Sequence, residues 1–181
     1  VSQTHSIYEG LLWSIIDQQI NFPFACLLKR RVVELVGESM GNGLFAPPLP
    51  AQVAALNPAD LIALQFSRQK AAYVIDTSRL IATGELDLES LATASATRAE
   101  RILMAVRGLG PWSVNYIMMR ALGFADCVPY GDTGVTSGLQ SLLSLETRPD
   151  VEATRRLMAV FAPYRSLSTA HLWQLNQSAP S

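Results

Sequence analysis

Val106-Arg107-Gly108-Leu109-Gly110-Pro111-Trp112-Ser113-Val114-Asn115-Tyr116 is the stretch on which the fold turns. Two glycines straddle one apolar residue, and a proline follows where a new helix would begin. Glycine tolerates positive φ and close approach of other groups, whereas proline suits only the first turn of a helix. The stretch therefore predicts a helix, a tight turn, and a second helix from Trp112 to Leu122 with Gly123 just past its end. Backbone N–H groups at the start of that second helix would face an anion such as a phosphate. A Gly-x-Gly between helices is also a plain helix-ending turn, so spacing alone leaves both uses open.

On both sides of the turn, apolar residues recur at three- and four-residue spacing, and no stretch alternates with β-branched enrichment. The chain is expected to be all-α. The spacing predicts helices over 6–18, over 22–36 between Asn21 as N-cap and Gly37, after Asn57-Pro58, and from Ser67 to Gly84. Further helices are expected over 97–106, from Asp132 or Thr133 to Leu143, over 150–161 and over 165–176. Leu86 to Leu91 reads as a brief helical turn. Gly41-Asn42-Gly43 and Pro47-Pro48-Leu49-Pro50 predict a loop holding no regular element. A length of 181 residues lies within the ~100–200 usual for one domain, so 1–181 is expected to be a single domain with the turn at 107–111.

With 49% hydrophobic and 16% charged residues the chain is not of the disordered class. A net charge of −1 excludes holding nucleic acid by bulk charge, so any DNA contact must be local. The apolar runs fall short of the ~20 residues of a membrane span, and no secretory leader pattern precedes Tyr8. Cys26 and Cys127 are too few for a disulfide scaffold and sit among apolar neighbours, as buried free thiols do. A cytoplasmic or nuclear protein is expected, nucleoid-associated if bacterial, and neither secreted nor membrane-bound.

The segment from Val106 to Tyr116 resembles the hairpin of the helix-hairpin-helix DNA glycosylase superfamily, in particular the alkylated-base branch typified by 3-methyladenine DNA glycosylase II. Three more segments resemble that family in order. Trp13-Ser14-Ile15-Ile16-Asp17-Gln18-Gln19-Ile20 looks like its early helix and turn, and Pro129-Tyr130-Gly131-Asp132-Thr133-Gly134-Val135 like the segment bearing its aspartate. Pro163-Tyr164-Arg165-Ser166 with Ala170-His171-Leu172-Trp173 is similar to its closing helix. Asp17 stands where the family often has Gly, and Arg107 where it commonly has Pro. The resemblance implies the helix-hairpin-helix glycosylase fold, two helical lobes around a cleft.

It also implies a reaction, the excision of an alkylated purine of the 3-methyladenine or 7-methylguanine type from double-stranded DNA by a monomer acting in base excision repair. Breaking an N-glycosidic bond puts positive charge on the sugar, and a fixed carboxylate stabilises it. The resemblance gives that role to Asp132, which the residues alone read as an N-cap; the two roles are compatible, because capping bonds favour the ionised form. It places Gln19, with Gln18, at the wedge that fills the gap left by a flipped nucleotide, where a polar pair in a helix-terminal loop is the plainer reading. Trp112, Tyr116 and Trp173 would form the base pocket rather than ordinary core, since electron-rich rings attract a cationic base by roughly 0.5–2 kcal/mol. Tyr8, Trp13 and Tyr73 read as core. Gly108, Gly110 and Arg165 are expected to touch phosphate, and the carbonyls of Val106, Gly108 or Leu109 to hold a monovalent cation, Na or K.

An alkylated purine is already a good leaving group, so no strong acid and no cofactor are required, and His5 and His171 have no catalytic role; His171 reads as helix packing. Relatives that cut the strand use a lysine where Trp112 stands, and the only lysines here, Lys29 and Lys70, lie outside the catalytic motifs. A monofunctional enzyme follows. Two cysteines cannot ligate an iron–sulfur cluster. The rival readings are a non-catalytic helix-hairpin-helix DNA-binding module and a glycosylase for oxidised or mismatched bases.

Overall fold

A computed structural model describes residues 1–177, in which helices dominate. Eleven are found among the described residues: α1 (Ile7–Ile16), α2 (Phe22–Val36), α3 (Pro50–Ala54), α4 (Pro58–Ala63), α5 (Arg68–Ala82), α6 (Leu88–Ala92), α7 (Ala96–Met104), α8 (Pro111–Arg120), α9 (Thr133–Leu143), α10 (Val151–Ala159) and α11 (Arg165–Gln177). Their starts follow side-chain chemistry. Ser6, Asn21, Ser67, Asp87, Ser95, Asp132 and Asp150 each accept an N–H from the first turn that no helical carbonyl could satisfy, a bond typically worth about 1 kcal/mol.

Four expectations need correction. Residues 39–45 form a small β-hairpin, β1 (Ser39–Gly41) and β2 (Leu44–Phe45), paired antiparallel with Ser39 opposite Phe45 and Gly41 opposite Leu44. Asn42 and Gly43 both have positive φ, the turn whose twist matches a two-residue hairpin. The glycines that forbid a helix are those that permit this turn. The proline run ends in a short helix, because Pro50 occupies its first position and Gln52 bonds back to the Leu49 amide at 2.7 Å. Cys26 is exposed although Cys127 is buried, and His171 is exposed rather than packed.

Two hydrophobic cores build the lobes. The larger takes α1 residues Leu11, Ile15 and Ile16 with α5 residues Val74 and Ile75 and α8 residues Val114 and Ile117; each fully buried aliphatic side chain there contributes about 1.5–3 kcal/mol. The smaller gathers Val128, Val135, Leu139, Met158 and Leu172 from α9, α10, α11 and the link before α9. Trp173 packs against both. A cleft opens at their junction.

Candidate active site

The turn between α7 and α8 is shaped by Gly108, whose φ is +95°. A Cβ there would lie 2.4 Å from Cγ of Tyr73 on α5, so only glycine lets the turn rest on that ring. Tyr73 is in turn held by Gln69, which donates to its hydroxyl at 2.6 Å, and by the Arg107 guanidinium 5.8 Å from its centroid. It is thus the base of the turn, partly buried as core. Gly110 is the N-cap of α8 and offers no side chain to its amides. The N–H groups of Gly108 and Gly110 meet no acceptor among the described residues, so both remain available to an external oxygen.

Across from the turn, the end of α1 is tied to it. Gln18 donates from Nε2 to the Gly108 carbonyl at 2.9 Å and to Ser113 Oγ at 2.9 Å. Lys70 on α5 donates to the carbonyls of Ile16 and Gln18, both at 2.7 Å. Gln18 is therefore a strut between the two turns, and it lines the cleft between them. Gln19 has a φ of +56° and an exposed side chain on the rim of the cleft. The Gly108 carbonyl expected for a cation is taken by Gln18, and that of Val106 accepts from the Leu109 amide at 3.1 Å. Each of these two carbonyl oxygens keeps a second lone pair.

The cleft encloses about 1170 Å³. On its wall Asp132, N-cap of α9, accepts from the Val135 amide at 2.9 Å and the Trp173 indole at 2.8 Å on Oδ1, and from the Trp112 indole at 3.0 Å on Oδ2. Cap and site residue are the same carboxylate. Three of its roughly four acceptor sites are filled, which leaves one on Oδ2 for the cavity. Trp112 and Tyr116 stack with centroids 5.5 Å apart at 20°, and Trp173 continues from Tyr116 at 6.0 Å and 39°. The three rings are one continuous wall, not two plates around a slot. Burial pushes the Tyr116 hydroxyl up to about 12, with the nearby Arg120 charge opposing and Asp17 and Asp132 adding, so it stays a neutral donor.

Several lining residues were not singled out by sequence. Trp13, expected in the core, reaches the cavity and meets Phe22 edge-on at 5.8 Å. Phe22 is 66% exposed, and an aromatic next to an N-cap was the available signal. Asp17, Arg120 and Tyr130 also line the cavity. Arg165 is absent from it. Its guanidinium grips both oxygens of Asp126 at 2.6 and 2.7 Å, and that pairing holds the Asp126 carboxyl below the usual range. Replacing Arg165 by Ala should cost at most about 1 kcal/mol and leave duplex affinity within about twofold; a tenfold loss in an anisotropy titration would restore the phosphate role. The Lys29-Arg30-Arg31 run is likewise engaged, by Glu9, Glu34 and Gln65 respectively.

The site thus defines a helix-hairpin-helix protein whose cleft holds an aspartate between two indoles. The family described as HhH-GPD superfamily base excision DNA repair protein matches residues 12–163, and the chain belongs to it. A DNA-3-methyladenine glycosylase of Bacillus subtilis is 33% identical over 172 residues, 93% of this chain and 57% of that protein. The chain spans less than three fifths of the length of that curated relative. A 3-methyladenine DNA-glycosylase from Archaeoglobus fulgidus superposes with a TM-score of 0.85 at 24% identity, covering 97% of this chain and 60% of the other. A Schizosaccharomyces pombe 3-methyladenine DNA glycosylase in complex with abasic DNA gives 0.82 at 21%, covering 98% and 84%. At these identities the two structures establish the shared fold.

Proposed function

We propose that the protein is a monofunctional DNA glycosylase that hydrolyses the N-glycosidic bond of alkylated purines in duplex DNA, acting as a monomer. The observation that carries this reading is the Asp132 carboxylate, fixed by two indole N–H groups and an amide on the wall of a ring-lined cleft. The free N–H groups of Gly108 and Gly110 take a phosphate of the duplex, and Gln19 enters the space of the extruded nucleotide. The cationic purine lies against Trp112, Tyr116 and Trp173. As the bond from C1′ to the ring nitrogen breaks, the base takes the electron pair and leaves neutral, and Asp132 stabilises the charge growing on the sugar. Water then adds at C1′ and its proton passes to solvent.

The leaving group already carries its charge, so no cofactor is called for, and Trp112 offers no amine to form a Schiff base. Incubation with a duplex bearing 7-methylguanine should release the free base and leave an intact strand that breaks only on treatment with alkali, with chelator present or absent. Retention of the duplex with no base released would instead establish a binding module. Preferential release of an oxidised or mismatched base would move the activity to another branch.

A further inference from the structure

We propose that Asp17 is a second functional carboxylate of the cleft, a specificity-determining residue that selects a positively charged purine over a neutral one. The inference rests on the glycosylase reading and adds to it the basis of substrate choice. Asp17 caps the C-terminal end of α1, its amide bonded to the Trp13 carbonyl, and it lines the same cavity as Asp132. Its position is electrostatically poor for an anion. The negative end of a helix dipole lies at its own backbone, and it is half-buried beside Asp132.

The cations nearby relieve it only in part. Lys70 on α5 spends its ammonium on the Ile16 and Gln18 carbonyls. Arg120 on α8 lies by Tyr116, and Lys29 on α2 is bound to Glu9. No donor among the described residues meets the Asp17 carboxyl. Burial, with the Asp132 charge second and Lys70 opposing, pushes it up to about 6.

Such a carboxylate gains most from a ligand that brings its own positive charge. An undamaged purine turns ring-nitrogen lone pairs outward, and an acceptor facing an acceptor is repelled. Alkylation at one of those nitrogens masks the lone pair and supplies a cation, so the same carboxylate rejects one base and attracts the other. The aromatic wall adds to that preference, and Asp17 makes it pH-dependent.

The test is single-turnover release of 7-methylguanine by wild type, Asp17→Asn and Asp17→Glu across pH. The Asp17 carboxyl is ionised above about 6, so wild-type release should fall as pH drops through that value. Asp17→Asn should lack this limb and run roughly tenfold slower at neutral pH, and Asp17→Glu should restore both. Because the folded-state value is raised, the charge costs stability above it. Asp17→Asn should therefore melt about 2–4 °C higher than wild type at neutral pH, the gain vanishing in acid. A competitor duplex carrying neutral hypoxanthine needs no variant: it should compete severalfold better below pH 6 than above.

Release by Asp17→Asn at the wild-type rate with the same acid limb overturns the assignment, as does competition that ignores pH. A wild type that frees no methylated base at any pH brings down the glycosylase reading and this one with it, whereas an active wild type matched by Asp17→Asn removes only the role of Asp17.

Discussion

Asp132→Asn should release methylated base roughly 10³-fold more slowly than wild type while binding the duplex within about threefold. The substitution keeps shape and an acceptor oxygen, so the cap bond to Val135 can persist. It cannot keep the rest. An amide has one oxygen, and two indole N–H groups converge on the two carboxylate oxygens; turning the NH₂ toward either indole sets donor against donor. One tryptophan bond is lost at a cost of about 1–3 kcal/mol, and the negative charge opposite the sugar is gone. Single-turnover kinetics on a 7-methylguanine duplex, with anisotropy for binding, separate the two quantities. Turnover within tenfold of wild type would reduce Asp132 to a helix cap.

Gly108→Ala should destabilise the fold by roughly 3 kcal/mol and lower the melting temperature by about 6–12 °C. Two costs add: a left-handed backbone for a residue with a Cβ, about 1–2 kcal/mol, and a methyl driven into the Tyr73 ring, about 1–3 kcal/mol. The ring cannot easily yield, because Gln69 and Arg107 hold it. Gly84→Ala is the matched control. Its φ is +80° but a Cβ there meets nothing within 4 Å, so only the backbone cost remains. Equal losses in the two variants would show that the ring contact is immaterial. Since the amides of the turn shift with Tyr73, Gly108→Ala should also weaken duplex binding, and Gly84→Ala should not.

Most of the fold was legible because helix starts are written in short-range chemistry. Asn21, Ser67 and Asp132 announce their helices by the cap bond each makes within three residues. The β-hairpin was missed because Asn42-Gly43 is flanked by glycine and exposed residues rather than by alternating apolar ones. In the site, Asp132, Trp112, Tyr116 and Trp173 were found through motif resemblance and do converge on one cavity. Gln18 and Arg165 were placed with them; Gln18 does line that cavity but spends its Nε2 on Gly108, and Arg165 lies outside it, bound to Asp126. Such pairings span 90 and 39 residues and leave no local trace. Asp17 was noticed only as a departure from an expected glycine. Its role depends on which charges surround it in space, and spacing along the chain does not record that.

The bond from Gln18 to the Gly108 carbonyl, with Lys70 bracing the other side of the same turn, has a mechanical meaning. It couples Gln19 to the hairpin amides as the two jaws of a caliper set to one gap. On the glycosylase reading proposed above, that fixed spacing would be a gauge of backbone shape rather than of base sequence, met only where a loosened nucleotide lets both jaws seat together.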